Sequence, residues 1–256
     1  MIKDALGGRM KTYYEEVTKT KLIRRTPVII RLDGVAFHTF TRGFKKPFDE
    51  VMIKSMQATM KYLCENVQGC VLGYTQSDEI TLVLVDYKEL NTSAWFDYEV
   101  QKLCSVSAAM ATYAFNKYFN EIYLDQLAVK GEAEEIDLVY DKARRKGAYF
   151  DARCFNIPKE EVTNCILWRQ LDAERNSVNS LAQSLFSHKE LQGLNIKDTK
   201  AKIEAEKGII WGELPTIYKR GSCCIKQDET WIIDNGIPRF IDEGRSYIEK
   251  LVFVGE

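Results

Sequence analysis

The sequence lacks any apolar run near the roughly 18–20 residues that a membrane-spanning helix requires. It shows no signal-peptide pattern either, because the first residues, MIKDALGGRMKTYYEEV, carry too many charges. Disulfide frameworks and zinc sites need paired cysteines, yet of the seven cysteines only Cys223 and Cys224 are close together, and those two are adjacent. We therefore expect a protein of the reducing cytoplasm that has no membrane partner.

A strong net charge, an internal repeat and a Walker-type glycine-rich loop are also missing. The formal net charge is −1, so the whole molecule does not attract polyanions, and a P-loop nucleotidase is disfavoured. Positive charge is instead concentrated in four short clusters, at residues 19–25, 42–46, 142–146 and 219–220. Any one of them is ordinary solvated surface, whereas several around one acidic site would indicate an anionic substrate.

The residues that are present have the composition of a globular protein, and their pattern predicts the order β-α-β-β-α-β over residues 1–157. Strands are expected at 28–32, 70–74, 80–85 and 148–157, and helices between Asp49 and Gly69 and at 95–119. A row of methionines in the first helix is typical of core packing. This order is that of ferredoxin-like domains. We therefore predict an α+β fold with a ferredoxin-like, polymerase-palm sheet packed with helices.

Residues 158–256 predict a helical and β-hairpin extension packed on the palm, so two domains are expected, 1–157 and 158–256. A long helix is predicted at 160–186, and the Ser187-His188-Lys189-Glu190 capping box begins another. Asp234-Asn235-Gly236 is a turn signal that indicates the hairpin.

We assign no function to two further features of the sequence. The charged stretch 120–146 is interpreted as a linker or an insertion. Trp168 is interpreted as a core residue rather than as a platform for stacked bases.

The candidate metal site lies in the stretch RLDGVAFHTF, residues 31–40. Asp33 and Gly34 end the first strand, and Asp78 lies in the predicted hairpin turn, so the two carboxylates should face each other across one sheet edge. Paired carboxylates hold Mg²⁺, which prefers hard oxygen ligands and keeps waters for substrate phosphates. The Gly34 carbonyl is a possible further ligand, and two metal ions in one site clamp the attacking and leaving oxygens.

The same stretch offers a binding site for phosphates. The amides of residues 34–38 would form a concave nest, and His38 and Lys46 would add charged hydrogen bonds. On the residues alone this interpretation competes with an ordinary strand-ending turn, because Asp-Gly is a common turn dipeptide. Two roles for Glu79 stay open on the residues alone: a base behind the metal ligands, or a charge at the edge of the hairpin.

The neighbouring residues add a resemblance to a known family. The strings RLDGVAFHTF, KPFD, YTQSDEITLVL, FDARCF, WRQLDAERNS and SHKEL, in this order, resemble the tRNA(His) guanylyltransferase superfamily from about Gly8 to Arg220. The resemblance implies 3′→5′ addition of nucleotides to the 5′ end of tRNA, with two Mg²⁺ ions and with ATP, GTP or other NTPs as substrates. It also implies a homotetramer and a palm whose two-metal chemistry is similar to that of conventional polymerases.

The resemblance further implies roles for individual residues. Asp33, Gly34 and Asp78 match metal ligands, and Asp33, Asp78 and Glu79 are the candidate catalytic carboxylates. The implied nucleotide-binding positions are Gly34, Val35, Ala36, Phe37, His38, Lys46 and Ser77. The implied positions for RNA or a second nucleotide are Lys102, Arg153 and Lys189.

One segment departs from the eukaryotic pattern. Glu174-Arg175-Asn176-Ser177 occupies the place where eukaryotic-type guanylyltransferases carry His-Ile-Asn-Asn. This departure resembles the guanylyltransferase-like branch, which implies template-dependent repair of truncated tRNA 5′ ends, with ATP activating 5′-monophosphates. The alternative is a tRNA(His) guanylyltransferase that adds a −1 guanosine. More remote alternatives are a palm-fold nucleotide cyclase and a non-catalytic RNA-binding module, although residues 80–85 lack the aromatics of an RNA-binding sheet.

Overall fold

A computed structural model describes residues 2–130 and 135–255, which form six β-strands and ten α-helices with short 3₁₀ and π turns between them. The strands are β1 (Val28–Gly34), β2 (Cys70–Gln76), β3 (Glu79–Leu84), β4 (Phe150–Asn156), β5 (Ser222–Gln227) and β6 (Thr230–Asp234). The helices are α1 (Ile2–Met10), α2 (Phe37–Phe40), α3 (Glu50–Asn66), α4 (Val100–Lys130), α5 (Glu135–Lys146), α6 (Lys159–Leu185), α7 (His188–Leu191), α8 (Ile196–Lys207), α9 (Thr216–Arg220) and α10 (Ser246–Val252).

The six strands belong to one sheet, in the order β4-β1-β3-β2-β5-β6, and each neighbouring pair is antiparallel. The first four strands have the order and directions of a ferredoxin-like domain, which confirms the predicted fold. Because β1 lies between β3 and β4, Asp33 is aligned with Glu79 on one side and with Asp151 on the other. The candidate metal site therefore ends an inner strand.

The C-terminal part of the chain extends this sheet, because β5 pairs with β2, for example at Leu72 and Ile225. The predicted hairpin is present, but its predicted turn is wrong. Asp228 and Glu229 join β5 to β6, with φ of 46° and 63°. Asp234 instead ends β6, where it pairs with Cys223, and Asn235 and Gly236 follow the strand. The division at residue 157 stays a prediction, and the sheet continues across it.

Each face of the sheet has its own hydrophobic core. Ile30 and Leu32 of β1 are buried in the core formed with α3, α4 and α5, where the methionine row of α3 also packs. Side chains alternate along a strand, so Ile29 points to the opposite face, which is covered by α6 and α10. Towards the end of β1 this second face changes from apolar to charged, at Arg31 and Asp33.

The interpretation of residues 120–146 as a linker is wrong in the part that the structure describes, whereas α5 is an additional helix between α4 and β4 and agrees with an insertion. The long helix α4 continues to Lys130, and α5 packs beside it. Tyr140 and Ala143 of α5 are buried, and the Tyr140 ring lies 4.8 Å from that of Phe44. The intervening residues 131–134 lie outside the described ranges. The segment is helical because its few apolar side chains share one face of a charged helix.

The predicted helix starts are largely present. Asp49 caps α3, since its carboxylate accepts a hydrogen bond from Met52 N (2.9 Å), and α7 begins with the predicted capping box of Ser187 and Glu190. The long helix α4 begins at Val100, after a separate 3₁₀ turn at Trp95–Tyr98. Throughout residues 2–130 and 135–255, no helix has both the length and the apolar character needed to span a membrane.

Candidate active site

The end of β1 brings Asp33 close to Asp78. Gly34 N donates a hydrogen bond to the main-chain oxygen of Asp78 (3.0 Å), which ties β1 to the β2–β3 turn. In that turn Ser77 has a φ of 52°, and its hydroxyl donates to Asp78 Oδ1 (3.0 Å). Burial raises the pKa of Asp78, and the charge of Asp33 raises this pKa further. The two carboxylates therefore interact across one sheet edge, as the strand order predicts.

This pair has the chemistry of a magnesium site. Asp33 and Asp78 repel each other when both are ionised, and a divalent cation between them removes the repulsion. With the Gly34 carbonyl they would supply three hard oxygen donors, which suits an ion that completes its shell with water and substrate phosphates. Among the described residues no cluster of three or more His, Cys, Asp or Glu side chains forms a metal cage.

The loop after Asp33 presents backbone rather than side chains. A Cβ on Gly34 would lie 2.2 Å from the Phe37 ring, so only glycine allows the loop to fold back here. Phe37 is 3% exposed and packs among aromatic rings, which excludes its side chain from contact with a nucleotide, whereas Val35 and His38 are exposed. The amides of residues 34 and 35 already donate to main-chain oxygens. The amides of residues 36–38, at the start of α2, have no intrahelical acceptor and remain available for phosphates.

A cleft of about 160 Å³ lies beside the β2–β3 turn. Ser77 lines it together with Phe48, Asn176 and Tyr218. Lys46 is exposed and immediately precedes the segment that forms one wall of the cleft. Two of the nucleotide-binding positions named from the sequence therefore lie at or next to this cleft.

The segment that replaces His-Ile-Asn-Asn lies on α6 and forms another wall of the cleft. Glu174 Oε1 accepts a hydrogen bond from Arg220 Nε (2.9 Å). Ser177 Oγ accepts one from Trp211 Nε1 (3.0 Å), while Asn176 lines the cleft. Two side chains of this segment are therefore engaged in packing between α6 and the C-terminal part of the chain.

Glu79 forms a buried ion pair that sequence reasoning missed. Its Oε2 lies 2.9 Å from Arg169 Nη1, and the two residues are only 8% and 7% exposed. Burial raises the pKa of Glu79, although Arg169 and Arg31 act in the opposite direction. Arg169 shares the buried face of α6 with Ile166 and Ala173. A buried arginine requires a carboxylate partner, so this helical spacing is the signal of a buried ion pair, although it does not identify Glu79 as the partner.

Trp168 is exposed, so its interpretation as a core residue is wrong. Its side chain is 53% exposed, while the guanidinium carbon of Arg169 lies 3.8 Å from the ring centroid and that of Arg31 lies 5.4 Å away. Trp168 follows buried Ile166 by two residues, which is about 200° around the helix. The helical period therefore turns this ring away from the core, above the charged end of β1.

The three basic residues assigned to RNA lie on three different elements, β4, α4 and α7. Arg153 is on β4, at the carboxylate edge, and its Nη2 lies 3.0 Å from Asp151 Oδ1. Lys102 is exposed near the start of α4, with Nζ 5.6 Å from the Phe96 ring centroid, and Lys189 is exposed on α7. Within the described ranges, only Arg153 lies at the carboxylate edge.

Known proteins resemble this chain over most of its length. Residues 7–158 match the family described as tRNAHis guanylyltransferase. A solved bacterial tRNA(His) guanylyltransferase (Thg1)-like protein in complex with ATP is 41% identical, with a TM-score of 0.86 over 97% of this chain and 100% of that chain. A second such protein, in complex with GTP, is 36% identical, with a TM-score of 0.79 over 98% of this chain and 100% of that one. The uncharacterized protein R259 of Acanthamoeba polyphaga mimivirus is 29% identical over 239 residues, 89% of this chain and 79% of the viral protein.

The family match covers the ferredoxin-like sheet together with both carboxylates and the loop that follows the first of them. The solved structures extend the similarity to the C-terminal helices and to β5 and β6. This chain therefore belongs to the tRNA(His) guanylyltransferase family and is a nucleotidyltransferase.

Proposed function

We propose that this enzyme adds nucleotides in the 3′→5′ direction to truncated 5′ ends of tRNA, and that pairing with the opposite strand selects each nucleotide. Its substrates are tRNA and NTPs, and its cofactor is a pair of Mg²⁺ ions. Family membership supports nucleotidyl transfer. The two bacterial relatives solved with ATP and with GTP support both nucleotides as substrates.

In this reaction the 3′-hydroxyl of the incoming NTP attacks the 5′-phosphate of the RNA. A new P–O bond forms while the bond to the leaving group breaks. Pyrophosphate leaves from a 5′-triphosphate end, and AMP leaves from a 5′-monophosphate end that ATP has adenylylated. The hydroxyl proton passes to a carboxylate or to water, and the triphosphate of the added NTP becomes the new 5′ end.

Asp33, Asp78 and the Gly34 carbonyl hold the metal in this proposal. When bound, Mg²⁺ neutralises phosphate charge and stabilises the leaving group. The raised pKa of Asp78 supports this role, because its causes, burial and the nearby Asp33 charge, both favour a bound cation. Glu79 orients or assists this pair from the adjacent strand, held by Arg169.

The triphosphate binds against the start of α2 and the loop before α3. The amides of residues 36–38 donate to phosphate oxygens, and Lys46, which makes no ion pair in the described part of the chain, adds a charge. Ser77 stands on the opposite side, on the β2–β3 turn. These groups bind phosphates in any NTP and carry no information about the base.

The proposal of templated addition is supported mainly by the structure of the cleft wall beside Ser77. Addition without a template requires side chains that recognise guanine, and the segment associated with it is replaced here. Glu174 and Ser177 accept hydrogen bonds from Arg220 and Trp211, which supports a packing role for this segment rather than recognition of guanine. Base pairing then selects the nucleotide, while the protein contacts RNA through its shape and 2′-hydroxyls.

A guanylyltransferase that adds one −1 guanosine to tRNA(His) is the second candidate, since the matching family carries that name. The cyclase and the non-catalytic RNA-binding module left open by the residues receive no support from the family match.

Labelled NTPs and Mg²⁺ with a tRNA that lacks its first nucleotide test the proposal. We expect the enzyme to add G opposite C and U opposite A, whatever the anticodon, and to use full-length tRNA(His) with an opposing A poorly. The Asp33→Asn variant controls for contaminating activity. Addition of G opposite A at the rate seen opposite C would overturn templated selection and favour the second candidate.

We also propose that the enzyme is a homotetramer of the cytoplasm. Exposed apolar side chains between residues 6 and 17, including Leu6, Tyr13 and Val17, support an assembly that covers them. The seven cysteines are free thiols, which agrees with a reducing compartment. Light scattering by the full chain measures the tetramer.

A further inference from the structure

An exposed indole lies directly on two guanidinium groups at the charged end of the sheet. Trp168 is 53% exposed, whereas Arg169 beneath it is 7% exposed and Arg31 is half-buried. About half of the indole surface is therefore accessible to another flat group, and the close cation–π contact with Arg169 helps to fix the plane of the ring.

The space beneath this ring contains polar groups without partners. Five buried side-chain nitrogen or oxygen atoms of the described residues lack a hydrogen-bond partner, and four of them belong to Arg31, Glu79, Thr81 and Arg169. Arg31 makes no hydrogen bond or ion pair with any residue that the structure describes. Buried polar groups in native proteins are nearly always satisfied. An unpaired guanidinium next to an open aromatic ring suits a ligand that is both flat and anionic.

The ring and the cleft lie at two separate places beside the carboxylates. Arg31 precedes Asp33 by two residues on the same face of β1, a distance of about 7 Å along the strand. The cleft at Ser77 lies by β2, two strands away across the sheet, or about 10 Å. The helix α6 spans both, since Trp168 precedes Ser177 by nine residues, about 14 Å along its axis. A reaction that joins two substrates needs two separate binding regions next to the reacting centre.

We propose that Trp168 is the stacking platform for the base of the RNA's 5′-terminal nucleotide. This rests on the proposed function, in which the NTP occupies the α2 loop and the cleft, so the RNA end is the substrate left for the separate region at Trp168. Unstacked RNA bases bind to aromatic rings and arginine planes. Every base has a π face, so the platform accepts any 5′-terminal base, as a repair enzyme must.

Equilibrium binding without NTP tests the platform. The probes are a tRNA that lacks its first nucleotide and the same tRNA with an abasic 5′-terminal residue. We expect the wild-type protein to prefer the tRNA with the intact base. Trp168→Leu should bind that tRNA roughly 5- to 150-fold more weakly, the range of one lost stacking contact, and should no longer distinguish the two RNAs. Trp168→Phe should retain most of the preference.

The controls separate this site from other roles of the ring. Tyr113→Leu removes an exposed aromatic ring on α4, behind the other face of the sheet, and should change neither affinity. Equal discrimination by wild type and Trp168→Leu would overturn the proposal. So would a loss of ATP affinity measured without RNA, or a changed oligomeric state with RNA discrimination intact. Failure of the wild-type protein to add nucleotides, with base-dependent binding present, would count against the proposed function and not against the platform.

Discussion

Asp33 and Asp78 contribute charge at the sheet edge rather than volume to either core. We predict that Asp33→Asn and Asp78→Asn each abolish nucleotide addition, because each removes the charge of a hard oxygen ligand. Thermal unfolding should shift little, and addition is measured in single-turnover assays with Mg²⁺. Asp125→Asn, an exposed carboxylate on α4, is the matched control and should keep the wild-type rate. A folded Asp33→Asn variant with near wild-type turnover would remove Asp33 from the site.

Glu79 and Arg169 allow stability to be separated from chemistry. We predict that Arg169→Met lowers the free energy of unfolding by about 3–5 kcal/mol, because it leaves Glu79 as an unpaired buried charge. Adding Glu79→Gln should restore most of that stability in urea unfolding. The stable double variant should remain inactive if Glu79 serves the carboxylate pair. An active double variant would make Glu79 purely structural.

At the scale of residues, the sequence predicted a contact correctly where regular strands and turns determine which residues lie close together. Asp33 ends a strand and Asp78 lies in a hairpin turn, so the strand order alone brought them together. The partner of Arg169 is 90 positions away, and helical spacing shows that Arg169 is buried without showing what it contacts. The helical period of α6 places Trp168 away from the core, but its contact with Arg31 depends on how α6 lies against β1, which no local pattern specifies.

At the scale of elements, Asp49 joins the loop that carries Lys46 to two helices. Its carboxylate caps α3 and accepts hydrogen bonds from Lys45 N (3.0 Å) and from the Tyr140 hydroxyl of α5. We predict that Asp49→Ala lowers the free energy of unfolding by about 2–4 kcal/mol, since the lost cap and an unpaired buried hydroxyl add together. Urea unfolding measures this loss.

Asn195→Ala is the control for the Asp49 prediction. Asn195 caps the exposed start of α8 by accepting from Asp198 N, so its loss should cost about 1 kcal/mol. Equal losses for the two variants would mean that the hydrogen bond from α5 contributes nothing to stability.

Elements with a clear period were predicted, and those defined by distant contacts were not. The four strands of the ferredoxin-like order and the helices α3 and α6 follow from apolar spacing. The helix α5 was missed because its many charges hide Tyr140 and Ala143, whose aromatic neighbours on other elements make that face a buried one. The β5–β6 turn was misplaced because Asp228 and Glu229 both adopt positive φ, which glutamate rarely does.

At the scale of the whole molecule, the net charge of −1 gives no overall attraction for RNA. RNA binding therefore depends on local groups of cations. We predict that Arg153→Gln and Lys189→Gln each weaken tRNA binding and lower the slope of log K against log salt by roughly one, because fewer counterions are released. NTP affinity without tRNA should not change. Lys54→Gln, an exposed cation on α3, should leave the slope intact. A loss of stability with an unchanged slope would make Arg153 or Lys189 structural.

The pairing of β2 with β5 has a consequence for the chain during its synthesis. β2 obtains its second neighbour about 150 residues later, since Leu72 pairs with Ile225, and at about 5–20 residues per second the ribosome needs roughly 8–30 s to supply it. Until then the apolar strand β2 presents unpaired N–H and C=O groups, the kind of edge that recruits strands from other chains. Nascent chains therefore have a window in which a chaperone bound at β2 prevents aggregation. Chains that terminate before Ser222 never leave that window, and we expect them to aggregate even though their ferredoxin-like strands are complete.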